Sequence, residues 1–159
     1  MIGIINKYLY RGVYWLTALT SFLFFIMVCL NVFTRYVLKT PILSSIELSR
    51  IFFVWACFLA AGITFYKNGH IVISFVTDPI PTGLRKLINV IIQILIMLFL
   101  TGISYWSIEV VLKIWNTEFP ILGVSQSWLY IPLTLISMIM LLFNIEMILQ
   151  TLKPSNPEP

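Results

Sequence analysis

Apolar residues run through this chain in long blocks, broken by short clusters of charge, proline and glycine. The uncharged stretches hold 23 residues between Arg11 and Arg35, 16 between Arg50 and Lys67, 22 between Lys86 and Glu109, and 27 between Glu118 and Glu146. A helix needs about 20 apolar residues to cross the ~30 Å hydrocarbon layer. The pattern therefore predicts an all-α integral membrane protein with four transmembrane helices and short loops. The spans fall at about 13–34, 45–66, 84–108 and 127–150, within one domain over residues 1–153.

The punctuation refines this picture. Tyr8, Tyr10, Tyr14 and Trp15 stand where aromatic rings favour the headgroup level, so residues 1–11 read as an interfacial lead-in. Lys39-Thr40-Pro41 stops the first helix. Ser44 and Glu47 form an S-x-x-E capping box, with Leu43 and Leu48 at the staple positions, so the second helix starts near Ser44. Lys67-Asn68-Gly69 is expected to end it. Residues 71–77 are apolar but too short to span, which predicts a short interfacial segment between helices two and three. In the third helix, Trp106, Val110, Lys113 and Asn116 continue at helical spacing past Glu109, predicting a long tilted helix. Residues 119–123 read as a hydrophobic turn. The last helix starts near Ser125 or Ser127, with Pro132 in its first turns, where a lost N–H costs least. Three prolines in the tail 154–159 predict disorder.

Composition removes whole classes of function. Sixty per cent of the residues are hydrophobic and 10 % are charged, against roughly 25 % charged in soluble domains. A water-soluble enzyme is excluded. The net charge of +4 comes from basic residues placed singly or in pairs at span ends. That placement suits topology and anionic headgroups, not nucleic acid. With both termini inside, Lys7, Arg11, Lys67, Arg85, Lys86 and Lys153 lie inside, and Arg35, Lys39, Arg50 and Lys113 outside. The positive-inside rule favours this orientation. The first apolar run exceeds a signal-peptide h-region and is expected to remain as an anchor. Cys29 and Cys57 fall within spans and read as small apolar packers, not metal ligands or a disulfide.

The chemistry of the chain is sparse. The one histidine, His70, cannot be joined to a Ser/His/Asp set, and no metal-ligand spacing, cofactor motif or phosphate loop is present. No catalytic, substrate-binding or metal-binding residue is assigned, and an enzyme is not expected. Coupling ions bind near mid-membrane at polar groups and broken helices, yet the span centres are uncharged. Gln93, Thr64, Thr101 and Asn31 read as interhelical glue. Glu146, about two turns from the end of the last helix, is expected to snorkel to the interface. In the second helix Ala56, Ala60 and Thr64, with Gly62 beside them, permit close helix approach. The partner is either a helix of this chain or one of another subunit. Asn31, Arg35 and Tyr36 close the first helix at the level where Glu47 and Arg50 open the second, with Trp55 beyond. These residues read either as a polar belt that fixes helix ends or as a collar for a partner or for lipid headgroups, in which Glu47 and Arg50 are expected to pair.

Asn31-Val-Phe-Thr-Arg35-Tyr36, Pro41, Glu47-Leu-Ser-Arg50 with Trp55, Gly69-His70 and Ser127-Trp-Leu-Tyr130-Ile-Pro132, in this order, resemble the small membrane subunit of TRAP transporters, the DctQ family. Ser45 departs from the pattern, standing where an aromatic residue is expected. The resemblance implies a subunit of a sodium-driven bacterial importer of organic acids, of the C4-dicarboxylate or sialic acid class. In that picture a periplasmic substrate-binding protein delivers the acid to a large membrane subunit, which holds the sodium and substrate sites. The small subunit braces the static part of the large one and helps dock the binding protein. The chain would sit in the inner membrane with both termini cytoplasmic. Lys39 and Thr40, on an outward loop without acidic residues, would be the docking candidates. A competing reading is a self-sufficient four-helix exporter working as a dimer. It needs a carboxylate deep in a span, and the first three spans have none.

Overall fold

The structure is a computed structural model that describes the backbone of residues 2–40, 42–77 and 82–152, with side chains over 6–40, 42–67, 84 and 87–151. Four α-helices make up the described chain: α1 (Ile2–Tyr36), α2 (Leu43–Thr77), α3 (Thr82–Lys113) and α4 (Ile131–Leu152), with a 3₁₀ turn at Gln126–Leu129 before α4. Among the described residues, four stretches are long and apolar enough to cross a membrane: Asn6–Tyr36, Leu43–Lys67, Leu87–Lys113 and Gln126–Thr151. The alternation of apolar blocks and breaks predicts this architecture.

Several local expectations are corrected. Helix α1 already begins at Ile2, so the lead-in is helical and continuous with the span. Helix α2 does not end at Lys67-Asn68-Gly69; its backbone stays helical to Thr77. A lone glycine inside a helix costs only about 1 kcal/mol, and residues 71–77 contain no further breaker. Pro79 is the next strong one, and it disfavours helical geometry in the residue before it. Residues 71–77 are thus an extension of α2, although the apolar span still closes at Lys67. The side chain of His70, and the tail 154–159, lie outside the described residues. The capping box is also not formed: Glu47 turns away from Ser44 and bonds elsewhere, while Ser45 Oγ donates to the Ile42 carbonyl at 2.6 Å.

The ends of the helices have identifiable causes. Lys39 takes a left-handed φ of 55°, which lets the Thr40 N–H reach back to the Thr34 carbonyl at 3.2 Å and close α1. Ser125 caps the 3₁₀ turn by accepting from the Ser127 N–H. Pro132, fully buried, occupies the first turn of α4, where its missing donor has no intrahelical partner to lose.

Helix α1 lies mainly on α2, α3 mainly on α4, and an α2–α4 contact joins the two hairpins. Val13, Leu59 and Ile136 meet in the apolar centre, with Trp55, Phe58, Ile63, Ile139 and Met140 around them. The core is lopsided. In the apolar 18-residue stretch of each span, 33 % is buried within the chain for α4, against 6 % for α1. Helix α4 is therefore the axis of the bundle, and α1 is a flank whose apolar face is left for lipid or another protein.

Candidate functional site at the two ends of the bundle

The connectivity brings the α1–α2 loop, residues 114–130 and the starts of α2 and α4 to one end. Here residues 117–126 fold back on themselves. Phe119 N–H donates to the Val124 carbonyl at 2.8 Å, Gln126 N–H donates to the Thr117 carbonyl at 2.7 Å, and Gly123 supplies the positive φ of 65° at the bend. Phe119 is buried beneath this turn.

Two side chains of α2 fasten the turn to the bundle. Glu47 Oε2 accepts from the Leu122 N–H at 2.9 Å. Trp55 Nε1 donates to the Trp128 carbonyl at 2.8 Å, and the two indole rings lie 6.1 Å apart. Among the described residues no ion pair joins Glu47 to Arg50, so the expected pairing is corrected. A backbone N–H in a tight turn has no helical carbonyl to satisfy it, and a nearby carboxylate is the stronger acceptor. Arg50 is exposed. So are Arg35 and Tyr36, whose guanidinium and ring lie 5.7 Å apart. Asn31 is half-buried, and its carbonyl accepts from Thr34 Oγ1. Lys39 and Thr40 are exposed on the adjoining loop. The collar thus divides into inward fasteners, Glu47 and Trp55, and an outward group of Arg35, Tyr36, Lys39, Thr40 and Arg50.

Removing the Glu47 carboxylate should loosen the turn without unfolding the helices, since a hydrogen bond to a charged group is worth about 1.5–3 kcal/mol. Glu47→Ala is expected to speed hydrogen exchange of the Leu122 amide by about tenfold or more, and Glu47→Gln by less. Unchanged exchange in Glu47→Ala would show that this contact does not hold the turn.

The stripe of small residues in α2 belongs to this chain's own packing at its closest point. A Cβ built at Gly62 would run into Ile136 Cδ1 of α4 and lie 2.6 Å from its Cγ1. Ala56 and Ala60 are half-buried beside it, whereas Thr64 is exposed and its Oγ1 donates to the Ala60 carbonyl at 3.0 Å.

Many Ser and Thr hydroxyls bond their own helix, as Thr20 does to the Leu16 carbonyl, but three polar contacts link α3 to α4. Ser104 Oγ bonds Ser137 Oγ at 2.9 Å, Thr134 Oγ1 bonds Ser107 Oγ at 3.0 Å, and Gln93 Nε2 donates to Thr151 Oγ1 at 3.1 Å. In lipid such bonds hold helices together where apolar burial gives no drive. Asn144, also fully buried, finds no partner among the described residues. At the end where α1 starts and α4 finishes, Asn6 Nδ2 donates to Glu146 Oε2 at 2.6 Å and to the Leu142 carbonyl at 3.3 Å. Glu146 therefore reaches toward the end of the bundle where the α1 span begins, and there α1 holds it. Nearby, Tyr10 stacks on Tyr66 at 5.0 Å, and Tyr66 meets Phe143 at 4.6 Å. Asn6 and Asn144 were not singled out by sequence reasoning, and Trp128 entered only as part of a family motif. Asn144 carried a signal, since Thr134, Ser137 and Asn144 recur on one face of α4.

Four apolar helices, cross-linked by polar side chains and closed by a fastened turn, define a multi-pass membrane protein. Residues 24–153 match the family model of the DctQ component of tripartite ATP-independent periplasmic transporters, and the chain belongs to that family. It is a small TRAP transporter subunit, not an enzyme. The chain is 26 % identical over 138 residues to the sialic acid TRAP transporter permease protein SiaT of Haemophilus influenzae, covering 85 % of this chain but 22 % of that relative. It is 24 % identical to a putative TRAP transporter small permease protein of Haemophilus influenzae, over 80 % of this chain and 77 % of the relative. It is also 26 % identical to the sialic acid TRAP transporter small permease protein SiaQ of Vibrio cholerae, over 76 % and 69 %. Family membership leaves the exporter reading without support.

Proposed function

We propose that this chain is the scaffold subunit of a sodium-driven TRAP importer of organic acids, of the sialic acid branch. It would brace the static part of a large membrane subunit that receives its substrate from a periplasmic binding protein. The observation that carries the scaffold role is that interior polar side chains bond helix to helix, while the span centres hold no charged group to bind a coupling ion. The flank that α1 leaves uncovered supplies an apolar surface for a larger partner. The match to about a fifth of a longer sialic acid TRAP transporter permease protein supports the same view, since there a segment similar to this chain is part of a much longer polypeptide.

In this reading the chain sits in the inner membrane with both termini cytoplasmic. The turn at 117–126 and the loop carrying Lys39 and Thr40 then face the binding protein. The outward Arg35 and Arg50 meet the large subunit or lipid headgroups. Affinity purification from gently solubilised native membranes tests the scaffold role. The chain is expected to bring down one membrane protein several times its own size, in constant proportion. Recovery of the chain alone, or only with copies of itself, would contradict the reading.

A further inference from the structure

A cleft of about 800 Å³ opens beside the N-terminal half of α1, lined by Lys7, Tyr10, Arg11, Tyr14, Trp15 and Lys67. Its three cations come from two helices. Lys7 and Arg11 stand four residues apart on one face of α1, and Lys67 comes from the point where the α2 apolar span ends. Lys67 Nζ lies 6.0 Å from the Tyr10 ring centroid. No carboxylate among the described residues lines this cleft; Glu146 lines the neighbouring cavity that Lys67 also borders. Basic residues that set topology need only lie on one side of the membrane. Convergence of three of them from two helices on one cleft calls for an anion.

The same face of α1 continues below the cations. Lys7, Arg11, Trp15, Leu19 and Phe22 recur at helical spacing, passing from charge through an indole to apolar side chains. Trp15, Leu19 and Phe22 are 67 %, 52 % and 61 % exposed. That order is the order of a phospholipid: charged headgroup, interface, acyl chain. Free phosphate has no use for the apolar stretch, and a zwitterionic headgroup leaves three positive charges uncompensated. We propose that this cleft binds the phosphate of an anionic phospholipid, with its acyl chain laid along Trp15, Leu19 and Phe22. The site needs only that the chain spans a membrane; it takes up part of the α1 flank, so a larger partner would pack beside the lipid or against it.

Native mass spectrometry of the full chain in detergent, with equal amounts of phosphatidylglycerol and phosphatidylcholine, reads the site directly. One phosphatidylglycerol is expected to bind in preference, on the order of tenfold, and excess inorganic phosphate should not displace it. A charge near an anionic lipid is worth about 1 kcal/mol, so Arg11→Gln and Lys67→Gln should each weaken retention about fivefold. Lys39→Gln, at the other end of the bundle, should not. Circular dichroism checks that each variant stays helical; for any that does not, the wild-type lipid preference and the phosphate competition decide. Equal retention of the two lipids, or unchanged retention in both helical variants, overturns the site. Displacement by inorganic phosphate overturns the lipid as its occupant.

Discussion

Gly62→Val is expected to destabilise the bundle by about 1–3 kcal/mol, the usual cost of forcing extra methyl groups into a packed interior. The added side chain meets Ile136, itself buried to 2 % exposure, so the neighbour has little room to move aside. A compensating change identifies the contact. Ile136→Ala alone should destabilise by leaving a cavity, yet Gly62→Val with Ile136→Ala should recover much of the loss, because each removes the other's problem. Unfolding in detergent by added dodecyl sulfate measures the double-mutant cycle. Additive losses would mean that α2 and α4 do not meet at this point.

Asn6→Ala should be nearly as costly, although it lies close to the end of the bundle. Asn6 is 1 % exposed and gives its amide to both Glu146 and the Leu142 carbonyl. Its loss leaves the half-buried Glu146 carboxylate with the Gln150 amide at 3.2 Å as its other partner, and a loss of about 1.5–3 kcal/mol, the worth of a bond to a charged group, is expected. Glu146→Gln keeps an oxygen acceptor without the charge and should cost about 1 kcal/mol or less. The pairing makes a sharper forecast: in the Glu146→Leu background, Asn6→Ala should cost much less than in the native chain. The same unfolding assay reads it. Equal losses in the two backgrounds would show that Glu146 is not the partner that matters.

How much of this was legible in the sequence follows from what each feature depends on. Span number and placement depend on the lengths of apolar blocks, which are written into the chain. The family resemblance rested on ordered short motifs, and residues 24–153 match the family itself. The end of α2 was misread because Lys67-Asn68-Gly69 looks like a stop, whereas a single glycine is a weak one and the helix runs on to Thr77. The capping box and the Glu47–Arg50 pair were misread for a common reason. Both assumed that Glu47 serves its neighbours in sequence, whereas Leu122, 75 residues away, holds the unpaired N–H. Long-range partners of this kind leave no local trace. The small-residue stripe was legible as a close approach but not as one to α4; only the packed Ile136 decides that. Asn6 opposite Glu146 was equally out of reach, since nothing in the sequence marks the first and last helices as neighbours.

In the proposed scaffold role this chain supports transport without performing it. Uptake of a radiolabelled organic acid, sialic acid first, into proteoliposomes under an inward sodium gradient tests this most directly. The chain alone should give uptake no higher than empty liposomes, with or without the binding protein. The chain with its large subunit and the binding protein should accumulate the acid, and accumulation should vanish when sodium is replaced by potassium. Sodium-driven uptake by the chain alone would contradict the scaffold role.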